Sequence, residues 1–396
     1  MLPVLGGLRG PPARADGRPT AGAGAVGLRR GPRREWLPGG GRPRPATGHR
    51  PGGAAAIRQA LREWLYAGAD KAAPCRAEVD PAACFGPLLG WVLAWWPAAA
   101  LPLALDATFL RDRLVVLSVS VLYRGGAIPV AWHVTAANRP GAWLEPALGL
   151  VARLAPVVPP GRTVLLLADR GLWSGRLWDG TRALGWHPLL RIRPDATFRP
   201  VGGRRVRAAG LVPGPGHAWV GAGVAFKHRH VRRAATLIVV WTAGQAEPWL
   251  VLTDLAPTAV GPAWYGLRTW VELGFRALKR IGWHWERTRR THPDRVARHW
   301  LVLAVATLWV TATGTRDEDA ERLGRAPATL RTAVPPPPGP VPRAASVFAR
   351  GLLRLRWQLL RTRRPWAVLW LWPEPWPHSP PGVDIVVVPG PAPLPP

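Results

Sequence analysis

Cysteine, lysine and asparagine are nearly missing from this chain. Cys75 and Cys84 are its two cysteines in 396 residues. They are too few for a disulfide framework and are not spaced as zinc ligands, so they are expected to be ordinary thiols of a reducing compartment. Lysine occurs only at positions 71, 227 and 279 and asparagine only at Asn138. That bias, typical of a GC-rich reading frame, puts nearly all positive charge on arginine. Acids are scarce as well: Asp+Glu is 23 against Lys+Arg 53, a formal net charge of +30. Such an excess favours polyanionic partners, namely DNA, RNA or an anionic membrane surface, and the planar arginine fork suits phosphate bidentately. An uninterrupted membrane span is lacking too. Residues 85–105 are broken by Pro87, Pro97 and Pro102, Trp300–Thr313 is too short to cross a bilayer, and the first residues lack the apolar core of a signal peptide. Both apolar stretches are expected to be protein core, with no membrane partner.

What remains has a clear order. Residues 1–53 are Gly, Pro, Arg and Ala without periodicity and are expected to be disordered or aberrant low-complexity sequence. Ile57, Leu61, Trp64 and Leu65 at helical spacing predict a short helix over 57–66, and residues 85–96 predict another, a helical region spanning 54–98. Leu101–Leu110, Leu114–Tyr123 and Ala127–Val134 predict a meander of three strands, the last two joined by the turn Arg124-Gly125-Gly126. Trp143–Leu154 predicts a helix stopped by Pro156, Pro159 and Pro160. Val164–Ala168 is an apolar run expected of a strand buried on both faces. A helix at Leu177–Leu184 and a strand at Pro188–Ile192 complete the order β-β-β-α-β-α-β of a ribonuclease-H-like α/β fold. Residues 194–254 predict a β-rich insertion, with short runs at Ala218–Phe226 and Ala235–Trp241. Helices resume at Trp264–Arg280 and Asp294–Thr313. The sheet domain is thus expected over 99–193 and 255–313. The tail 314–396, Pro-rich from Val334, holds one expected helix at Ala344–Thr362.

With few acids present, those able to do chemistry can be weighed one by one. Asp106 interrupts the apolar strand Leu103-Ala104-Leu105-Asp106-Ala107, where a charge is costly unless paired or bound to metal. Asp169 ends the run Val164-Leu165-Leu166-Leu167-Ala168, at the strand terminus where α/β sites collect. Neighbouring strands would bring the two together. Each alone reads equally as a capping or salt-bridged Asp. Asp112, Asp179, Asp195 and Asp254 compete, but all sit in or beside expected turns. Glu272 lies in Tyr265-Gly-Leu-Arg268-Thr-Trp-Val-Glu272-Leu-Gly-Phe275-Arg-Ala-Leu-Lys279-Arg280. On a regular helix Tyr265, Arg268, Glu272, Phe275 and Lys279 span an arc of about 80°. A solvated face with an Arg268/Glu272 pair would look the same.

The spacing Y-x2-R-x3-E-x6-K, complete at Tyr265, Arg268, Glu272 and Lys279, resembles the signature of a large class of bacterial insertion-sequence DDE transposases. An accidental match is expected on the order of once in ten thousand such sequences. The surroundings D-A-T at Asp106 and A-D-R-G at Asp169, the order D, D, E, and the runs W-E-R-T-R-R at 285–290 and R-H-W-L-V-L-A at 298–304 are similar to that family as well. The resemblance covers roughly 57–313. It implies a ribonuclease-H-like catalytic domain in which Asp106, Asp169 and Glu272 bind two Mg²⁺ or Mn²⁺ ions, hard cations that prefer carboxylate oxygen. It implies that Tyr265, Arg268, Lys279 and Arg280 contact DNA, that water cuts the transposon inverted repeats, and that the freed 3′-OH joins target DNA. It further implies a homodimer on DNA and a bacterial cytoplasmic, nucleoid-associated location. A base-stacking Trp of the insertion would be Trp219, Trp241 or Trp249. The usual N-terminal DNA-recognition domain is not evident. Two alternatives therefore stand beside the enzyme: a domesticated or inactive DNA-binding remnant, and a ribonuclease-H-like nuclease that does not join strands.

Overall fold

The computed structural model describes residues 53–71, 78–137, 143–322, 345–361, 369–377, 379–380 and 382–390. The expected low-complexity stretch before residue 53, Cys75, Asn138 and the start of the Pro-rich tail lie outside them. The chain divides into two compact units, Met1–Trp64 and Leu65–Pro396. The described part of the first carries one helix, α1 (Ala54–Trp64).

Among the described residues the second unit is built on an 11-stranded sheet. After helix α2 (Phe85–Leu93) come β1 (Ala100–Leu110), β2 (Leu114–Tyr123) and β3 (Gly126–Ala136), pairing antiparallel in sequence. Helix α3 (Leu144–Leu154), strand β4 (Thr163–Ala168), helix α4 (Gly175–Ala183) and strand β5 (His187–Arg191) follow. β4 lies parallel to β1 and β5 parallel to β4. The order β3-β2-β1-β4-β5, antiparallel only in the first two pairs, is the ribonuclease-H-like mixed sheet. The five strands lie within two residues of where their sequence patterns end, because each is a Val/Leu-rich run bounded by turn formers. At the β2–β3 turn Arg124 and Gly125 both have positive φ, 43° and 78°, as the type I′ hairpin turn requires.

The β-rich stretch continues the same sheet. β6 (Thr197–Pro200), β7 (Val206–Arg207), β8 (His217–Ala225), β9 (Arg233–Trp241) and β10 (Trp249–Thr253) extend it from β5 in the order β10-β9-β8-β6-β7. β10 bonds to β5 at Val251↔Arg191 through Thr253↔Leu189.

Three differences from the sequence reading have physical causes. First, Trp264–Arg280 is not one helix. It begins as a 3-10 turn over Trp264–Arg268, becomes helix α5 (Thr269–Arg276), and widens into a π turn over Ala277–Ile281. Second, helix α6 (Pro293–Arg322) runs for 30 residues, well past the expected Thr313. It is long and apolar enough to span a membrane, and 61% of its most apolar window is buried within the protein. Its polar last turns were unreadable as core because their burial depends on distant partners: Arg124 bonds Glu318 and Asp319, both at 2.8 Å. Third, the tail contributes more than one helix. After α7 (Val347–Arg361) comes a strand, β11 (Asp384–Val387), pairing parallel with the half of β8 that β6 leaves open. Its signal was the β-branched run Val383-Asp384-Ile385-Val386-Val387-Val388 after Pro380-Pro381-Gly382.

α6 and α7 cross at two glycines. A methyl on Gly314 would overlap the carbonyl of Val347, and one on Gly351 the carbonyl of Val310. Backbone cannot yield as a flexible side chain does, so Gly314→Val is expected to destabilise the protein by about 1–3 kcal/mol or more. A thermal melt reads this; an unchanged midpoint would mean that the helices do not cross there.

Candidate active site

Strand register places the acids. Opposed residues share a sheet face and alternate residues return to it. Ala104 of β1 faces Leu167 of β4, and pairing ends at Leu105↔Ala168. One step further along each strand lie Asp106 and Asp169, side by side and on the face of Ala104 and Leu167. Those two residues join the apolar cluster that contains Leu267 and Val271, so α5 and the 3-10 turn before it cover this face. α5 approaches closely because Gly274 has no side chain: a Cβ there would lie 2.7 Å from the Cβ of Ala127. Glu272 thereby comes over the two aspartates from above.

One guanidinium joins the three acids. Arg268 Nη2 donates to Asp106 Oδ2 at 2.8 Å and to Asp169 Oδ2 at 3.4 Å, while its Nη1 donates to Glu272 Oε1 at 3.1 Å. Asp106 Oδ1 accepts the amide of Ala107 at 2.8 Å. Asp169 Oδ1 accepts those of Gly171 and Leu172 at 2.9 and 3.1 Å. Asp169 is thus both an N-cap and a member of the cluster. Arg170, its sequence neighbour, instead pairs with Glu247 at 2.6 Å. Asp106 is buried, with 8% exposure, whereas the Glu272 side chain is 64% exposed.

Burial dominates the Asp106 carboxyl and raises it to about 6, against the pull of Arg268 and the Ala107 amide and with a further push from Asp169 and Glu272. Burial works against the Arg268 charge too, but Asp106, Tyr265, Asp169 and Glu272 together hold its pKa above the ordinary value. The Asp106 shift has a stability consequence with a definite sign. A carboxyl raised above its ordinary 3.8 favours the fold at pH values below that figure. This contribution is lost as pH rises through about 6. Asp106→Asn is therefore expected to be near neutral for stability at pH 4 and to stabilise the metal-free protein at pH 8 by up to about 3 kcal/mol. Denaturant melts at both pH values test it; destabilisation at pH 8 would refute it.

The remaining signature residues are placed differently. Tyr265 is 3% exposed, and its hydroxyl donates to the carbonyl of Ala168 at 3.3 Å; burial pushes its pKa up. It faces inward and props the strand end that carries Asp169, so a phosphate contact, as the resemblance implied, is not where its hydroxyl is spent. Lys279 lies on the π turn, half-buried, its pKa lowered by burial and by Arg280 against the pull of Glu286. The Arg280 side chain is 75% exposed and 3.9 Å from Glu286. The competing acids are structural: Asp179 pairs with Arg233 at 2.8 Å, and Asp254 with Arg182 and His187 at 3.4 and 3.0 Å; Asp112 and Asp195 are exposed turn residues. Of the three tryptophans, Trp249 packs edge-on against Tyr265 at 5.3 Å, Trp219 against Phe198 at 5.9 Å, and Trp241 donates to Gln245 O at 2.9 Å.

Carboxylate oxygens are the donor set a hard divalent cation requires. All three already converge on one positive group. Among the described residues no three of His, Cys, Asp and Glu are grouped so that they could hold a metal ion as they stand; Arg268 sits among Asp106, Asp169 and Glu272. The donor chemistry fits such an ion; taking one up means that Arg268 gives up its place.

The family model described as "Transposase DDE domain" matches residues 103–309, more than half of the chain, and spans Asp106, Asp169 and Glu272. This chain belongs to the DDE transposase domain family. No curated protein matches it. Among solved structures, a crystal structure of human ENDOV is similar at 13% identity, covering 52% of this chain and 85% of that one with a TM-score of 0.23.

Proposed function

We propose that this transposase-family chain cuts DNA at transposon ends and joins the freed 3′-OH to target DNA, with Asp106, Asp169 and Glu272 as the ligands of two divalent metal ions. The convergence of all three acids on the single Arg268 guanidinium carries the reading: a site shaped around one cation at the end of β4 and beneath α5. When bound, Mg²⁺ or Mn²⁺ supplies an acidified water and stabilises the leaving 3′ oxygen. The protein's part is to hold the oxygens. Asp106 is fixed by the Ala107 amide and Asp169 by those of Gly171 and Leu172, which leaves the Oδ2 atom of each for the cation. Arg268, released, would be free to pair with a DNA phosphate, so its guanidinium would serve the acids in one state and the substrate in the other. Lys279 and Arg280 extend the positive surface along the same segment, and Tyr265 positions Asp169 from behind. A homodimer brings two transposon ends together, in the bacterial cytoplasm.

A second reading, a DNA-binding protein that does not cut, draws on the same Arg268 contacts, since a cluster held by its own arginine is stable without metal. Incubation with supercoiled plasmid separates the two. The enzyme produces open circles only with Mg²⁺ or Mn²⁺, and joined strands when given a cut transposon end. Plasmid binding without nicking in either metal would overturn the proposal in favour of the second reading.

A further inference from the structure

β1 and β2 are apolar strands with a buried polar row on one face. Asp106 faces Ser118 across the antiparallel ladder, Ala104 faces Ser120, and Thr108 faces Val116. Asp106, Thr108, Ser118 and Ser120 thus share the face beneath α5. Ser118 is fully buried, Ser120 and Thr108 nearly so, at 1% and 2% exposure. None of the three hydroxyls has a hydrogen-bond partner. Buried hydroxyls are almost always paired, so three unpaired ones beside a buried carboxylate mark donors with a use that this arrangement leaves unfilled.

Distance separates the three. Cβ atoms of directly opposed residues on neighbouring strands lie about 4.5–5.5 Å apart, and diagonal ones about 7–8 Å; residues two apart on one strand are separated by about 6.8 Å. Ser118 is the direct opposite of Asp106, Ser120 its diagonal, and Thr108 its second neighbour along the strand. Of the three, Ser118 is thus the one whose Cβ lies nearest the Asp106 side chain. Across three strands the row reads Ser118, Asp106, Asp169, with a donor on one flank of Asp106 and its partner acid on the other.

We propose that Ser118 is a positioning residue for Asp106: its hydroxyl is the donor that fixes the carboxylate once Arg268 has left it. The inference rests on the metal-site reading given above, and it adds a residue outside the D, D, E set and outside the family signature. While Arg268 holds Oδ2 the serine is idle, which accounts for its missing partner. When the guanidinium withdraws, the carboxylate loses one of its two fixed contacts, and Ser118 restores the count. The partner of a metal-binding group typically changes metal affinity by about 10–100-fold when removed.

The test titrates Mn²⁺ calorimetrically into the full chain and into Ser118→Ala and Ser120→Ala, with thermal melts of the metal-free proteins. Ser118→Ala is expected to weaken Mn²⁺ binding about 10–100-fold while its melting temperature stays level or rises, because an unpaired buried hydroxyl contributes nothing to the fold. Ser120→Ala is expected to bind Mn²⁺ as the unaltered chain does. Equal Mn²⁺ affinity in Ser118→Ala, or an equal loss in Ser120→Ala, overturns the assignment and leaves the metal site standing. An unaltered chain that binds no Mn²⁺ overturns both.

Discussion

Glu272→Gln is expected to slow plasmid nicking by roughly a thousandfold, a loss of about 4 kcal/mol of transition-state stabilisation, while leaving DNA binding intact. The substitution is nearly isosteric and removes one negative oxygen. Glu272 is mostly exposed and its ion pair is with Arg268, at 3.1 Å, so little of the fold rests on it. Helix α5 is held instead by Val271 and by the close approach of Gly274 to Ala127. Loss of the charge should leave DNA affinity level or slightly higher, since a repulsion with phosphate disappears. Gel-shift and nicking assays on the same preparation read both halves. Nicking at the unaltered rate would remove Glu272 from the cation site. Joint loss of binding and cutting would mean that the residue acts on the fold or the DNA instead.

Arg124→Met is expected to cost stability by up to about 3–5 kcal/mol, the usual penalty for breaking a buried ion pair by removing one partner. Arg124 is 3% exposed and donates to Glu318 Oε2 and Asp319 Oδ1, both at 2.8 Å, and through Nε to Trp372 O at 2.7 Å. It ties the β2–β3 turn to α6 and to the tail segment at once. Beside it the Tyr123 hydroxyl accepts the amide of Trp372 at 2.8 Å and lies 3.0 Å from Thr315 Oγ1. Burial pushes that phenol up to about 12, so it stays neutral. Glu318 keeps Arg322 at 3.8 Å and Asp319 keeps the Trp370 indole at 3.0 Å, so part of the cost should come from buried carboxylates left with weaker partners. Adding Glu318→Gln to Arg124→Met should therefore recover part of the loss. A double mutant less stable than either single would show that the residues act independently.

The strands that build the site were legible because each is a continuous apolar run with a polar stop. Asp106 and Asp169 stand out there as charges where none is expected. The Arg268–Glu272 pair was legible for another reason: four residues of local chain set it. The contacts from Arg268 to Asp106 and Asp169 were not, since they span 162 and 99 residues of sequence and exist only once α5 is laid on the sheet. The change of pitch between Tyr265 and Lys279 was hidden in the same way. Spacing on a uniform helix puts the two on one stripe, whereas in the structure Tyr265 turns inward from a 3-10 turn and Lys279 lies past the start of a π turn. Such a π turn commonly marks a functional segment. Ser118 and Ser120 left a trace, the S-V-S alternation inside an apolar strand. It becomes meaningful only through the register that sets Ser118 opposite Asp106.

The most direct test of the central claim is Mn²⁺ binding to the unaltered chain and to Asp106→Asn, Asp169→Asn and Glu272→Gln, followed by electron paramagnetic resonance. One site built from three acids predicts that the unaltered chain binds and that each substitution alone weakens binding by an order of magnitude or more. Binding of equal strength in all four proteins would contradict it and leave three acids whose only cation is Arg268.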